Sequence, residues 1–162
     1  ETDLELWYGI PGSGAVNHTL NPRLFSKQLS YIINDAKDKI LIIDIDLISI
    51  IENVLPNCSS VKRVIILTDK NNMPKSSISD LICYEELINE QDEDFNWVLG
   101  DEKEACGICY TSGTTGNPKG VVYTHRSNVL HAMTSASPDM LNLSCRDRIM
   151  PVVPLFLSLI HI

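Results

Sequence analysis

Apolar positions along this chain follow two rhythms. Leu24, Leu29, Ile32 and Ile33 recur at helical spacing behind Asn21-Pro22, a pair that signals helix entry, and together they predict a helix over 23–36. "KILIID" (39–44) and "VKRVIILTD" (61–69) are short continuous apolar runs of the kind that suits strands buried in a parallel sheet. Between them, residues 47–54 predict a second helix that stops before Pro56. "ACGICY" (105–110) and "VVYTH" (121–125) predict two further strands. Residues 126–135 then predict a helix with Val129, Leu130 and Met133 on its apolar side. Strand and helix alternate, so the expected fold class is α/β, with helices packed on mixed sheets.

Composition narrows the class without naming a function. At 162 residues the chain is long enough for one domain with a core. Its 13 Lys and Arg stand against 21 Asp and Glu, a formal charge of -8. That balance argues against nucleic acid or an anionic membrane as partner, because both select a basic surface. A local loop can still bind a phosphate inside an acidic protein. No membrane span is expected: the longest apolar stretch, 40–55, is broken by Asp44, Asp46, Ser49, Glu52 and Asn53. The first residues, "ETDLELWYG", lack the basic segment of a signal peptide and read as a chain entered midway. The acidic run from Glu85 to Glu104 reads as a solvated helix end and loop.

Five cysteines form no even disulfide framework. Cys106 and Cys109 make a lone C-x-x-C, but on a strand positions i and i+3 face opposite sides, which disfavours a bond between them. Buried thiols in a reducing, cytoplasmic compartment are the expectation.

The densest chemistry lies between the last two predicted strands, in "CYTSGTTGNPKG" (109–120). Gly113, Gly116 and Gly120 free the backbone to turn and to approach a ligand, while Ser112, Thr114 and Thr115 offer hydroxyl donors. Pro118 stiffens the exit and Lys119 adds one positive charge. These are the parts of a polyphosphate cradle, held as a hairpin tip. The Walker A pattern does not fit, since Lys119 follows Pro118 and precedes Gly120, and the loop leads into a strand rather than a helix. The dinucleotide G-x-G-x-x-G pattern does not fit either, with Gly113 and Gly116 three apart.

"YTSGTTGNPKGV" followed by "YTHRSNVLHA" resembles the phosphate-loop signature of the adenylate-forming (acyl-activating) superfamily. The stretch from Gly9 to Asp44 and the segment "MPVVPLF" are similar to fatty-acyl-CoA synthetases of the medium- and long-chain kind, methylmercaptopropionate-type ligases included. The likeness covers about Leu4 to Phe156. It implies part of the large N-terminal domain of an acyl-CoA synthetase. It also implies an ATP-dependent ligation in which a fatty acid, or a related small carboxylic acid, becomes an acyl-adenylate and then a thioester of coenzyme A. By matching position Ser112, Gly113, Thr114, Thr115, Gly116 and Lys119 would embrace the β- and γ-phosphates, and Thr111 would lie beside them and help to hold Mg²⁺. His125 and Arg126 match the family's "HR" pair and are expected to orient the following helix; His18 and His131 are expected to be packed polar spots. Similar synthetases can be homodimers, and no residue here decides that.

The chain also departs from the pattern. Leu157 stands where similar enzymes have a histidine, so residues 1–156 are expected to be a partial AMP-binding domain and 157–162, "LSLIHI", a non-native tail. The adenine- and ribose-binding segments and the catalytic lysine of the family's lid match no position here. No catalytic residue is therefore expected in the fragment, which is expected to be inactive alone. A carrier-loading adenylation domain, a non-catalytic nucleotide-binding module and an inert, poorly folded fragment are the alternative readings.

Overall fold

A computed structural model describes residues 2–111 and 116–150. They fall into two compact units, one formed by residues 21–96 with 116–118, the other by residues 2–20, 97–111 and 119–150.

The first unit is built on a three-stranded parallel sheet of order β2-β3-β4, with β2 at Ile40–Asp44, β3 at Arg63–Leu67 and β4 at Ile82–Cys83. Helix α2, Ser26–Ala36, precedes β2, and helix α3, Ile48–Val54, makes the crossover to β3. The helical spacing read in the sequence is realised in α2, where Leu29, Ile32 and Ile33 are buried. The helix starts three residues later than predicted, and Asn21 instead accepts the Arg23 amide through Oδ1 at 2.9 Å in a local turn. Lys37, left-handed at φ 59, closes it. In β3, Val64, Ile65 and Ile66 are all buried, as expected of a central strand covered on both faces.

The crossover from β3 to β4 contains no α-helix. Residues 68–81 run as an irregular loop with one 3₁₀ turn at Lys70–Asn72, whose amides Asn71 and Asn72 donate to Asp69 Oδ1. Glu52, on α3, pins this loop: its Oε1 accepts from Ser76 Oγ and the Ser77 amide at 2.7 Å each, and from Ser77 Oγ at 3.1 Å. These bonds hold the Glu52 carboxyl below the usual carboxylate range, the Ser76 hydroxyl contributing most. Helix α4, Tyr84–Asn89, follows β4 and leads into the exposed acidic stretch.

The second unit carries a sheet of order β1-β5-β6. Helix α1, Thr2–Gly12, precedes β1, Asn17–Thr19, which pairs in parallel with β5, Ala105–Thr111. β5 then pairs antiparallel with β6, Lys119–Thr124, across a bulge between Ala105 and Gly107. Helix α5, His125–Ala136, closes the unit. Its start is fully capped: Thr124 Oγ1 accepts from the Ser127 amide at 3.1 Å, and Ser127 Oγ accepts from the Thr124 amide at 3.0 Å. No residue of α5 is buried, and Val129, Leu130 and Met133 are all more than half exposed. The apolar side expected of this helix is present in the sequence but finds no cover among the described residues.

Candidate functional site

The hairpin β5–β6 delivers the loop. Cross-strand register runs from Ala105↔Thr124 through Cys109↔Val121 and Tyr110↔Gly120 to Thr111↔Lys119, the last pair before the loop. Directly opposed residues share a face, with Cβ atoms about 4.5–5.5 Å apart. A hydroxyl and an ammonium therefore stand side by side at the mouth of the hairpin, both exposed. Of the residues expected to form the cradle, Thr111, Gly116 and Lys119 lie among the described residues, whereas Ser112, Gly113, Thr114 and Thr115 lie outside them. Gly116 has φ 128, a conformation that side-chain-bearing residues rarely adopt, although a Cβ there would meet nothing within 4 Å. Backbone geometry, not space, requires glycine at 116. Phe156, His161 and residues 157–162 also fall outside the described residues.

Strand alternation sorts the neighbours of this pair. Thr19, Cys109 and Val121 share the face of Thr111 and Lys119, and Thr19 Oγ1 lies 3.4 Å from Cys109 Sγ. Ile108, Tyr110, Gly120, Val122 and His18 occupy the other face, where the rings of His18 and Tyr110 are 5.2 Å apart and tilted by 38°. His18 is thus a packed polar spot, as expected. His131 likewise engages its own helix, with Nε2 3.2 Å from Ser135 Oγ.

Below the hairpin, Cys106 is buried at the bulge, where Asn128 Nδ2 donates to its Sγ at 3.2 Å. Burial pushes its thiol pKa up, which disfavours the thiolate form. Cys106 and Cys109 are both free, in keeping with their opposite facing on the strand. The His125–Arg126 pair orients α5 as expected. The His125 and Arg126 amides donate to the carbonyls of Glu104 and Glu102 at 3.3 and 2.8 Å, and Arg126 Nη1 reaches Glu102 Oε1 at 3.1 Å. Among the described residues there is no group of three His, Cys, Asp or Glu side chains able to hold a metal, and no helix long and apolar enough to cross a membrane.

The Gly/Ser/Thr-rich segment thus joins two paired strands of an α/β chain, with Lys119 at its exit. The profile of the AMP-binding enzymes matches residues 4–162, and the chain belongs to that family. The medium-chain-fatty-acid–CoA ligase of Ectopseudomonas oleovorans is 49% identical over 153 residues, which cover 94% of this chain and 28% of the ligase. The 3-methylmercaptopropionyl-CoA ligase of Ruegeria pomeroyi is 45% identical over the same length, with the same coverage. The crystal structure of a long-chain-fatty-acid-CoA ligase from Archaeoglobus fulgidus superposes with a TM-score of 0.75 at 28% identity, covering 91% of this chain and 27% of that one. The chain thus spans a little over a quarter of the length of these relatives.

Proposed function

We propose that this chain is the phosphate-gripping part of an AMP-forming acyl-CoA ligase acting on a fatty acid or a related small carboxylic acid. The observation that carries the reading is the Thr111–Lys119 pair at the mouth of the hairpin, on either side of the motif. In the proposed reaction a carboxylate oxygen attacks the α-phosphorus of ATP and the bond to pyrophosphate breaks. The sulfur of coenzyme A then attacks the acyl carbonyl, and AMP leaves. Charge builds on the departing pyrophosphate, so the segment's task is electrostatic: donors and a cation fixed where that charge develops. Lys119 supplies the cation, Thr111 a hydroxyl, and Ser112, Gly113, Thr114, Thr115 and Gly116 the hydroxyl and amide donors of the loop between them.

Mg²⁺ fits this donor set in one respect. It binds proteins through one or two hard oxygens and takes its other ligands from substrate phosphates and water. Thr111 Oγ1, exposed beside the loop, is the oxygen this segment offers. When bound, the ion would neutralise phosphate charge. The buried thiols of Cys58, Cys83 and Cys106 support a reducing, cytoplasmic setting. For the full-length enzyme a homodimer is the proposed state, and its mass in solution should then be twice that of one chain.

Calorimetry of inorganic pyrophosphate with the chain tests the grip. Lys119→Ala is expected to weaken binding by about tenfold, the scale of one charge-assisted contact. Equal binding by the variant would sink the assignment. In the full-length gene product, exchange of labelled pyrophosphate into ATP should require a fatty acid, and coenzyme A rather than a carrier protein should accept the acyl group.

A further inference from the structure

One cross-strand pair inside the last rung of the hairpin, a ring lies where a side chain should be. A Cβ added to Gly120 would sit 3.0 Å from Tyr110 Cζ, 3.2 Å from Tyr110 Cε2 and 3.0 Å from Ile108 Cδ1. The Tyr110 ring therefore lies against the β6 backbone at 120, and a Cβ there would press on it and on Ile108 until they gave by a few tenths of an ångström. An aromatic ring covering a cross-strand glycine is a known device for pinning strand register. The same ring also meets that of His18 on β1, with centroids 5.2 Å apart. Tyr110 thus spans all three strands of its sheet, one residue before Thr111.

We propose that Tyr110 and Gly120 are positioning residues: the ring-over-glycine contact fixes the spacing and twist of β5 and β6 at the rung where Thr111 and Lys119 emerge. Neither residue touches the phosphates; both act through the pair beyond them. The functional half of this inference rests on the pyrophosphate reading above, and the structural half does not.

Gly120→Ala separates this role from ordinary stability. Alanine loses less backbone entropy in a strand than glycine, so a purely structural Gly120 would tolerate it with pyrophosphate affinity unchanged. If the contact positions the pair, Gly120→Ala weakens pyrophosphate binding by about five- to tenfold, the scale of coupling between touching residues. Once the ring is trimmed by Tyr110→Leu, adding Gly120→Ala should change affinity by less than about twofold. The same variants are compared without ligand by the amide chemical shifts of Thr111 and Lys119. These should move in Gly120→Ala and stay put when Gly120→Ala is added to Tyr110→Leu. An alanine that is silent alone, or equally costly with and without the ring, overturns the positioning role. If the wild-type chain binds no pyrophosphate, the functional reading fails by itself, and the amide shifts still decide the contact: moved and then quenched supports it, unmoved overturns it.

Discussion

The two units bury their side chains very unequally. Among the described residues, thirteen of the fourteen buried apolar ones, Leu29, Ile33 and Ile66 included, belong to the unit built on β2-β3-β4, and only Cys106 belongs to the unit that carries the hairpin. The first unit is held by apolar burial around a central strand. The second is held by backbone pairing, caps and a few polar clamps, and it leaves Val122, Leu130 and Met133 more than half exposed. The hairpin pair Thr111 and Lys119 stands in the unit with few buried apolar side chains. Regions that must admit a ligand are drawn from the less stable end of a fold.

The sharpest way to break this contrast is to cut one methylated side chain from each unit. Ile66→Ala, at a fully buried position, is expected to lower stability by about 2–5 kcal/mol. Val122→Ala, on the exposed face of the hairpin, is expected to cost about 0.5 kcal/mol or less. Urea unfolding, followed residue by residue through amide exchange, should show the first change in β2 and β3; equal costs would refute the contrast. The cap of α5 tests the polar side of it. Thr124→Ala is expected to cost about 1 kcal/mol and to speed exchange in the first turn of α5, while amides of β3 stay unaffected.

Acid sharpens the comparison within the first unit. Glu52 has a folded pKa below its unfolded value, so its contribution is present above the unfolded carboxylate pKa, about 4.3, and is lost as pH falls through the lower folded value. In that acid window the melting temperature of wild type should fall more steeply than that of Glu52→Gln, and parallel curves would remove Glu52 as the pin. The smallest effect is expected at Lys70, whose ion pair with Glu86 is exposed on both sides. Lys70→Met should leave the melting temperature where it was, since exposed pairs are screened by water and salt.

Periodicity and turn chemistry made much of this fold legible. The apolar runs at 39–44 and 61–69 are β2 and β3, and the strands flanking the motif are β5 and β6, each within a few residues. What escaped has a physical reason in each case. β1, Asn17–Thr19, has no apolar rhythm of its own and is a strand because β5 offers it an edge. β4 is two residues long, below any pattern's reach, and α1 contains Gly9 and Pro11, which local propensity disfavours in a helix. Val129, Leu130 and Met133 have helical spacing, yet spacing alone does not say whether a cover exists. At the site, the motif pointed to Thr111 and Lys119, and their opposition follows from a hairpin. The covering of Gly120 by Tyr110 depends on register and rotamer together, which no single-strand pattern encodes.

Glu52 also says something about how the first sheet comes apart. β4 is attached to β3 through two register pairs, and one carboxylate oxygen on α3 gathers three bonds from the long crossover that delivers it. Further ties lie at the edge itself, where the Thr68 carbonyl accepts from Cys83 Sγ at 3.1 Å and from the Glu85 amide at 3.4 Å, and where Cys83 and Tyr84 are buried. With two register pairs against the five that join β2 to β3, β4 is the more weakly paired edge of this sheet, the place where local opening would begin.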